Sequence, residues 1–252
     1  MKFLILVIFS VGAYAQSDAQ KSFSEGVRLL NEHKFIQAEK EFSNAIENGI
    51  AKDGLKMSYI YKGFAHNGQG EYNDAISNFD KAIEIDPLDP SSFIDRAITF
   101  TYKNDYKTAI EDFEHVLKLV NTGEQAEGAY YYLGRIMMLN YKYRDAISYL
   151  DKFIKLNPKD AEVYFLRGTA KSNILDSDGS IADYNKAIEL KPNYMEALAN
   201  RGVQKINKLP VEEKIGNEVR CIKDPCSDFL KARELGDDSV EDMIYLYCRK
   251  CS

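Results

Sequence analysis

A repeat of about 34 residues constrains the fold of this 252-residue chain more than any other feature. Three segments that share it read EYNDAISNFDKAIEIDP, DYKTAIEDFEHVLKLVN and KYRDAISYLDKFIKLNP. The eighth place of each unit is small: Gly26, Gly63, Ala97, Gly134, Gly168 and Gly202. The twentieth is also small, with Ala38, Ala75, Ala109, Ala146 and Ser180. The twenty-fourth is large, with Phe42, Phe79, Phe113, Leu150 and Tyr184. A small residue opposite a large one lets two helices pack closely.

This pattern resembles the tetratricopeptide repeat, a helix–turn–helix unit of about 34 residues. Pro87, Pro158 and Pro192 follow the second helix of three units, where proline prevents the helix from continuing. One hairpin cannot bury its apolar stripe alone, so neighbouring hairpins must stack. The resemblance therefore implies an all-α fold, a right-handed α-solenoid of about six helix–turn–helix units with a C-terminal capping helix.

The period also predicts the bounds of the units, which are 19–52, 56–89, 90–123, 127–160, 161–194 and 195–235. The second helix of the sixth unit is delayed, so we expect an inserted loop at 209–224 and a helix near 226–235. Asp224 and Pro225 suit the N-cap and first turn of that helix. A capping helix is predicted at 239–250, with Ser239 as its N-cap.

Charged residues recur at two further places in three of the units. Arg96, Arg167 and Arg201 hold the seventh place, and Asp112, Asp183 and Asp228 hold the twenty-third. We expect each pair to form an ion pair between the two helices of one hairpin. The alternative is a row of arginines that binds a ligand.

The first fifteen residues, MKFLILVIFSVGAYA, have the features of a secretory signal peptide. Lys2 supplies the positive start, residues 3–9 form the apolar core, and Ala13 and Ala15 fit a small-x-small cleavage site. We therefore expect cleavage between Ala15 and Gln16 and a secreted or periplasmic product. The apolar run is shorter than the about 20 residues of a membrane span, so we expect no stable membrane anchor after cleavage.

Charge and motifs argue against several classes of function. The formal net charge is −6, and an acidic surface repels the phosphate backbone of nucleic acids. His33, His66 and His115 lie beside no recognisable catalytic arrangement, and the sequence has no Gly-rich phosphate loop. We therefore expect no nucleic-acid binding, no catalytic residues or enzymatic activity, no cofactor and no bound metal.

The four cysteines all lie near the C-terminus: Cys221, Cys226, Cys248 and Cys251. Their spacing also fits a four-thiolate zinc site or a redox pair, but an exported helical protein favours structural disulfides. Antiparallel neighbours bring the start of one helix beside the end of the next. We therefore expect Cys226 to pair with Cys248, and Cys221 with Cys251.

The resemblance also implies a binding surface, because the first helices of such repeats line a concave groove. The candidate groove residues are Phe23, Val27, Ile60, Phe64, Ile94, Ile98, Tyr102, Tyr131, Arg135, Met138 and Phe165. Family members that clamp the C-terminal carboxylate of cytosolic chaperones need Lys, Asn and Arg at such places, and here only Arg135 has that chemistry. We expect the groove to bind an extended or helical peptide segment. The alternative is that these residues pack against each other across a tight superhelix.

The sequence thus predicts a non-enzymatic scaffold for protein–protein interaction that binds a peptide or protein segment. Two alternatives stay open: a periplasmic or extracellular chaperone or assembly factor for envelope proteins, and an accessory protein or inhibitor of an exported enzyme. The chaperone would suppress aggregation of its client, and the accessory protein would change the activity of its enzyme stoichiometrically.

Overall fold

The structure is a computed structural model that describes residues 17–209 and 223–248. These ranges contain thirteen α-helices, one 3-10 helix and no β-strand, so the predicted all-α fold is confirmed. The chain forms two compact units, Met1–Asp105 and Tyr106–Ser252. Four predicted features lie outside the described residues: the signal peptide, Cys221, Cys251 and most of the inserted loop.

The first unit contains two helical hairpins and one further helix. Its helices are α1 (Asp18–Asn31), α2 (Phe35–Glu47), α3 (Lys52–Gln69), α4 (Tyr72–Ile85) and α5 (Pro90–Tyr102). α1 packs on α2 and α3 on α4, and α2 and α4 each pack on the helix that follows. α3 begins before the predicted start of the second unit, at residue 56. The extra residues between the first two repeats therefore lengthen a helix instead of forming a loop.

The second unit continues the same alternation of helices. Its elements are α6 (Tyr106–Leu119), α7 (Glu124–Leu139), α8 (Tyr143–Leu156), α9 (Ala161–Asn173), α10 (Ser177–Leu190), α11 (Met195–Asn207), α12 (Lys223–Glu234), a 3-10 helix (Asp238–Val240) and α13 (Glu241–Tyr247). The hairpins are α7–α8, α9–α10 and α11–α12, and α13 packs on α12. α7 also begins early, at Glu124, which absorbs the extra residues before the fourth predicted repeat.

Three details at the C-terminal end of the second unit correct the sequence predictions. α12 begins at Lys223, so Asp224 lies inside the helix and is not its N-cap. The predicted capping helix is a 3-10 turn followed by the short helix α13. Ser239 is not its N-cap, because the carboxylate of Asp237 accepts the backbone N–H of Ser239 at 3.0 Å. Asp237 therefore takes the N-cap role predicted for Ser239, since its carboxylate accepts from a backbone N–H that has no partner within the helix.

The small and large places of the repeat meet inside the hairpins α1–α2, α3–α4, α7–α8, α9–α10 and α11–α12. A Cβ added to Gly63 would lie 2.7 Å from the Phe79 ring, and one added to Gly202 would lie 2.7 Å from the Phe229 ring. The large partners have almost no exposed surface, as in Phe79 and Phe229 at 0%. The absence of a side chain at the eighth place therefore makes room for the ring at the twenty-fourth. Phe229 occupies this role although its helix comes late in the sequence.

In the first five repeats, the fifteenth place holds a left-handed residue. Positive φ angles occur at His33, Gly70, Asn104, Tyr141 and Leu175. Glycine and asparagine adopt this conformation readily, whereas a leucine there is strained. The Leu175 side chain is 89% exposed, so no packing of its own offsets that strain.

Arginine–aspartate pairs hold the helices of two hairpins together, as predicted. Arg167 Nε donates to Asp183 Oδ2 at 2.9 Å, and Arg201 Nε donates to Asp228 Oδ2 at 2.9 Å. Both aspartates are buried, which explains why each one also accepts from a lysine of the first helix, Lys171 or Lys205. The predicted ion pairs are thus confirmed in these two hairpins. The third pair, Arg96 with Asp112, has one member in each unit and stays a prediction.

Each of these arginines also contacts the second helix of the preceding repeat, which the sequence reasoning missed. The acceptor lies sixteen residues earlier in every case: Asp80 for Arg96, Asp151 for Arg167, and Asn185 for Arg201. The signal was present, because all three acceptors occupy the twenty-fifth place of their repeat. Arg167 and Arg201 therefore bridge three consecutive helices, which fixes each hairpin to its neighbour as well as within itself.

Candidate functional site

A row of aromatic rings runs along the first helices of the first unit. The ring centres of Phe23 and Tyr61 lie 5.8 Å apart, and those of Tyr61 and Phe64 lie 6.1 Å apart. Phe23 and Phe64 are partly buried against the core formed by residues such as Phe42. We call these rings the N-terminal patch (Phe23, Tyr61 and Phe64). Tyr61 is buried, whereas Phe23 and Phe64 each keep a partly accessible edge.

The other predicted groove residues of the first unit differ in how much surface they offer. Val27, Ile94 and Ile98 are partly buried. Tyr102 is 57% exposed, and its ring lies 6.0 Å from that of Tyr72. Ile60 is only 5% exposed and belongs to the core, so its prediction as a groove residue is wrong. Burial arises because α3 packs against both α2 and α4, which leaves a branched side chain at this place enclosed.

A second set of groove residues lies on α7 and α9. The Tyr131 hydroxyl donates a hydrogen bond to a carboxylate oxygen of Glu162, which joins the two helices. The guanidinium carbon of Arg135 lies 5.5 Å from the centre of the Tyr131 ring, within cation–π range. Burial of the phenol, together with its hydrogen bond to Glu162, raises the pKa of Tyr131. Tyr131 therefore keeps its proton, and Arg135 remains exposed beside it.

Phe165 extends this set toward the C-terminus. Its ring centre lies 5.0 Å from that of Tyr194 and 5.9 Å from that of Tyr184. Burial, followed by the negative charge of Glu162, raises the pKa of Tyr194. Tyr131, Arg135, Glu162, Phe165 and Tyr194 together are called the C-terminal patch. Met138, the remaining predicted residue, is half-buried with Met137 in a separate apolar cluster.

Glu162 and Tyr194 are members of the C-terminal patch that the sequence reasoning missed. Most candidate groove residues occupy the fifth or ninth place of a repeat, and neither Glu162 nor Tyr194 does. The sequence feature that could have indicated Glu162 is its position in the first turn of α9, where the repeat places it close to the preceding hairpin.

Asp95, which follows the predicted groove residue Ile94 in the sequence, has a carboxyl group with a raised pKa. Loss of solvent around the carboxyl, with a smaller contribution from the charge of Asp89, raises the pKa of Asp95 to about 8. Asp95 also acts on Tyr61, whose pKa is raised by burial first and by the Asp95 charge second. The carboxyl therefore lies close to the N-terminal patch and carries a proton at neutral pH.

The C-terminal cysteines and one histidine cluster complete the groups with metal or redox chemistry in the described residues. Cys226 and Cys248 are joined by a disulfide, with their Cα atoms 5.5 Å apart. In the first unit, Glu39, His66 and Glu71 offer three ligand atoms that all lie within 4.8 Å of one another. Sequence reasoning considered His66 but did not connect it with Glu39, which lies on a different hairpin.

Within residues 17–209 and 223–248, no helix has the length and apolar character that crossing a membrane requires.

Comparison with known families agrees with the repeat pattern. Models described as tetratricopeptide repeat match residues 58–87, 128–160 and 161–194. The chain is 28% identical over 201 residues to the Hsp70-Hsp90 organizing protein of Triticum aestivum, a match that covers 65% of this chain and 35% of that protein. The chain thus spans about a third or less of the length of the curated relatives it matches.

Solved structures of similar fold are repeat proteins as well. The C-terminal part of a tetratricopeptide-repeat protein from Cytophaga hutchinsonii superposes with a TM-score of 0.68 at 16% identity, covering 88% of this chain and 83% of that one. YrrB, a tetratricopeptide-repeat protein with an unusual peptide-binding site, gives a TM-score of 0.58 at 24% identity and covers 78% and 93% of the two chains. Sequence period, hairpin packing and these matches agree that the chain contains tetratricopeptide repeats.

Proposed function

We propose that this chain is a non-enzymatic scaffold that binds a peptide or protein segment on the first helices of its hairpins. The observation that carries the proposal is the C-terminal patch, where the exposed Arg135 lies over the ring of Tyr131. Aromatic residues and arginine are the residue types enriched at protein interfaces. A ligand that fits this patch has an apolar side chain for the rings and an acceptor oxygen for the guanidinium.

The C-terminal patch is organised before a ligand arrives. The hydrogen bond from Tyr131 to Glu162 joins α7 to α9, and the contact between Phe165 and Tyr194 fixes a second ring. Binding to such a surface orders few side chains of the scaffold, so little conformational entropy is lost. We infer that the ligand is a segment with an apolar residue and a nearby carboxylate or backbone carbonyl, the latter accepting from Arg135.

The N-terminal patch provides a second binding surface of different chemistry. Phe23 and Phe64 are partly buried, so they offer apolar edges rather than whole faces, whereas Tyr61 is buried beneath them. Asp95 lies close to them and is protonated below about pH 8. In that form the carboxyl can donate a hydrogen bond to a carbonyl of the ligand as well as accept one. We propose that this patch receives apolar side chains of an extended or helical segment.

Two relatives support a role in binding other proteins. The wheat relative is named as an organizing protein for Hsp70 and Hsp90, and YrrB is described as having a peptide-binding site. Tetratricopeptide-repeat proteins are in general scaffolds, which supports the absence of enzymatic activity in the proposal. Arg135 is the only candidate groove residue of the kind that clamps a chaperone carboxylate. We therefore propose a ligand other than the C-terminus of a cytosolic chaperone.

We further propose that the protein acts outside the cytoplasm. Residues 1–15 have the features of a signal peptide, and the disulfide between Cys226 and Cys248 is typical of an oxidising compartment. Mass spectrometry of the secreted or periplasmic protein tests this directly. A mature N-terminus at Gln16 is the expected result, and an intact N-terminus on the mature cellular protein would contradict export.

Binding is tested with peptides selected from a random displayed library on the full chain. Affinities of the selected peptides are then measured by fluorescence polarisation for Arg135→Ala, Phe64→Ser and Tyr131→Ser. Arg144→Ala is the matched control, because Arg144 is an exposed arginine on the second helix of the same hairpin. We expect Arg135→Ala to weaken binding at least about tenfold, as loss of a charge-assisted hydrogen bond predicts, and Arg144→Ala to leave it unchanged.

Thermal unfolding of each variant separates binding from stability. Weaker binding of Tyr131→Ser or Phe64→Ser with an unchanged melting temperature supports a binding surface. Unfolding of these variants would instead show that the rings are core residues. Equal peptide affinities for Arg135→Ala and Arg144→Ala would contradict the proposed role of the C-terminal patch.

A further inference from the structure

Three side chains with metal-binding chemistry converge in the first unit. Glu39 lies on α2, His66 lies in the last turn of α3, and Glu71 is the residue immediately before α4. One oxygen from each glutamate and one nitrogen of the imidazole all lie within 4.8 Å of one another. The cluster thus draws its members from two different hairpins.

The imidazole of His66 is the buried centre of this cluster. His66 is only 7% exposed, and both ring nitrogens face a carboxylate. Nδ1 lies 2.7 Å from Glu71 Oε2, and Nε2 lies 3.7 Å from Glu39 Oε1.

Two of the three groups are held in place by the turn between α3 and α4. The backbone N–H of Glu71 donates to the carbonyl oxygen of His66 at 2.9 Å. Gly70, between them, has a φ of 78°, a left-handed conformation that favours glycine. The backbone geometry that brings His66 and Glu71 together is therefore fixed by a hydrogen bond and a glycine, and it does not depend on their mutual attraction.

We propose that Glu39, His66 and Glu71 bind one Zn²⁺ ion that links the first hairpin to the second. Zinc–ligand bonds of about 2.0–2.1 Å in tetrahedral geometry place ligand atoms roughly 3.3 Å apart. The three groups can contract to that spacing because the glutamate side chains are flexible and 30% and 49% exposed. An imidazole with two carboxylates suits zinc, whereas calcium and magnesium prefer oxygen ligands alone.

Solvent can supply the fourth ligand. Glu71 lines an open surface depression of about 210 Å³, together with Tyr72 and Lys103 among others. Water can therefore reach the ion from the Glu71 side. A site of three protein ligands and one water keeps an open position for solvent, in contrast to closed four-ligand structural sites.

One neighbouring charge opposes the ion. The ammonium group of Lys62 lies 3.9 Å from Glu39 Oε1 and donates to the Ser43 hydroxyl at 2.9 Å. A cation at the site is repelled by this ammonium and competes with it for Glu39. Lys62→Gln should therefore strengthen zinc binding, which distinguishes this site from zinc bound elsewhere on the surface.

The test is calorimetric titration of Zn²⁺ into the untagged full chain after metal removal, with Ca²⁺ as a second probe. We expect one equivalent of zinc to bind and the same amount of Ca²⁺ to give no signal. Glu71→Gln and Glu39→Gln should each weaken zinc binding at least tenfold, and His66→Asn should abolish it. His33→Asn is the matched control, since His33 lies in the same unit and asparagine accepts its left-handed backbone.

Cobalt substitution identifies the ligands independently of affinity. Co²⁺ bound to imidazole and carboxylates lacks the intense thiolate-to-metal absorption that cysteine ligands produce. Absence of that band supports the site in the first unit. Its presence would show that the C-terminal cysteines bind the ion and would overturn the proposal. Unchanged zinc binding in folded Glu71→Gln, or loss of binding in His33→Asn, would also overturn it. Circular dichroism of each variant ensures that weaker binding does not result from unfolding.

Discussion

The hairpins α9–α10 and α11–α12 have the same contacts but very different connections. In α9–α10 the arginine and aspartate of the ion pair are 16 residues apart, and in α11–α12 they are 27 residues apart. Gly168 nonetheless meets Tyr184 as Gly202 meets Phe229. The geometry of a hairpin is therefore set by a few matching places on its helices. The length of the connection between the helices has little influence on it.

The last hairpin also differs in a covalent link. Residues 174–176 join α9 to α10, whereas residues 208–222 join α11 to α12. Among the described residues, α11–α12 has a feature that α9–α10 lacks, the disulfide from Cys226 on α12 to Cys248 after α13. We infer that the disulfide stabilises the last hairpin, whose two helices lie farther apart in the sequence.

The largest effect is expected from removing the arginine in either hairpin. Arg167→Met leaves Asp183 buried beside Lys171 alone, and Arg201→Met leaves Asp228 beside Lys205 alone. Each change should lower the free energy of unfolding by about 3 kcal/mol, because the desolvated carboxylate loses two charge-assisted hydrogen bonds and keeps only its lysine partner. Urea denaturation measures both. If Arg201→Met costs much less than Arg167→Met, the two hairpins are not equivalent and the comparison fails.

The disulfide should matter next, and only for the last hairpin. Replacing Cys226 and Cys248 together by Ala opens a loop of sequence separation 22, which lowers the free energy of unfolding by about 3 kcal/mol or somewhat less. The double variant avoids leaving a single reactive thiol. Hydrogen exchange locates the change: faster exchange should be confined to α12 and α13, with α9 and α10 unaffected. Faster exchange throughout the second unit would show that the disulfide has a wider role.

Most of this framework could be predicted from the sequence, because the repeat places the same chemistry at the same distance many times. The ring of Phe229 could be assigned to the twenty-fourth place despite the delay, since Ala232 follows it three residues later. Arg167 and Arg201 could be matched to their aspartates for the same reason. A periodic signal averages over units, so a single unusual residue does not hide it.

The remaining features depend on contacts that do not repeat. Ile60 is enclosed by helices on both sides, although its place in the sequence suggested an exposed groove. Glu162 enters the C-terminal patch through one hydrogen bond to Tyr131, and Glu39 approaches His66 from another hairpin. Such contacts depend on side-chain length and local rotation, which the sequence pattern does not specify.

Filling the small places tests the packing of the two hairpins with a smaller expected effect. A methyl group at Gly168 would lie 2.9 Å from the Tyr184 ring, and one at Gly202 would lie 2.7 Å from the Phe229 ring. Gly168→Ala and Gly202→Ala should each cost about 1–3 kcal/mol through overpacking. Gly128→Ala is the control, because nothing lies within 4 Å of its added Cβ in α7. That change should stabilise the protein by about 0.4–1 kcal/mol, and destabilisation there would contradict the packing argument.

The smallest effect distinguishes the two connections themselves. Leu175 is left-handed and exposed in the short turn, whereas Leu209 holds the corresponding place of the last hairpin and is not among the described residues with positive φ. Leu175→Gly should raise the free energy of unfolding by about 0.5–1 kcal/mol, since glycine removes the strain. Leu209→Gly should lower it, because Leu209 packs on the terminal cluster and has no strain to lose. Urea denaturation measures both variants. If they change the free energy of unfolding by the same amount, Leu209 has the same backbone strain as Leu175.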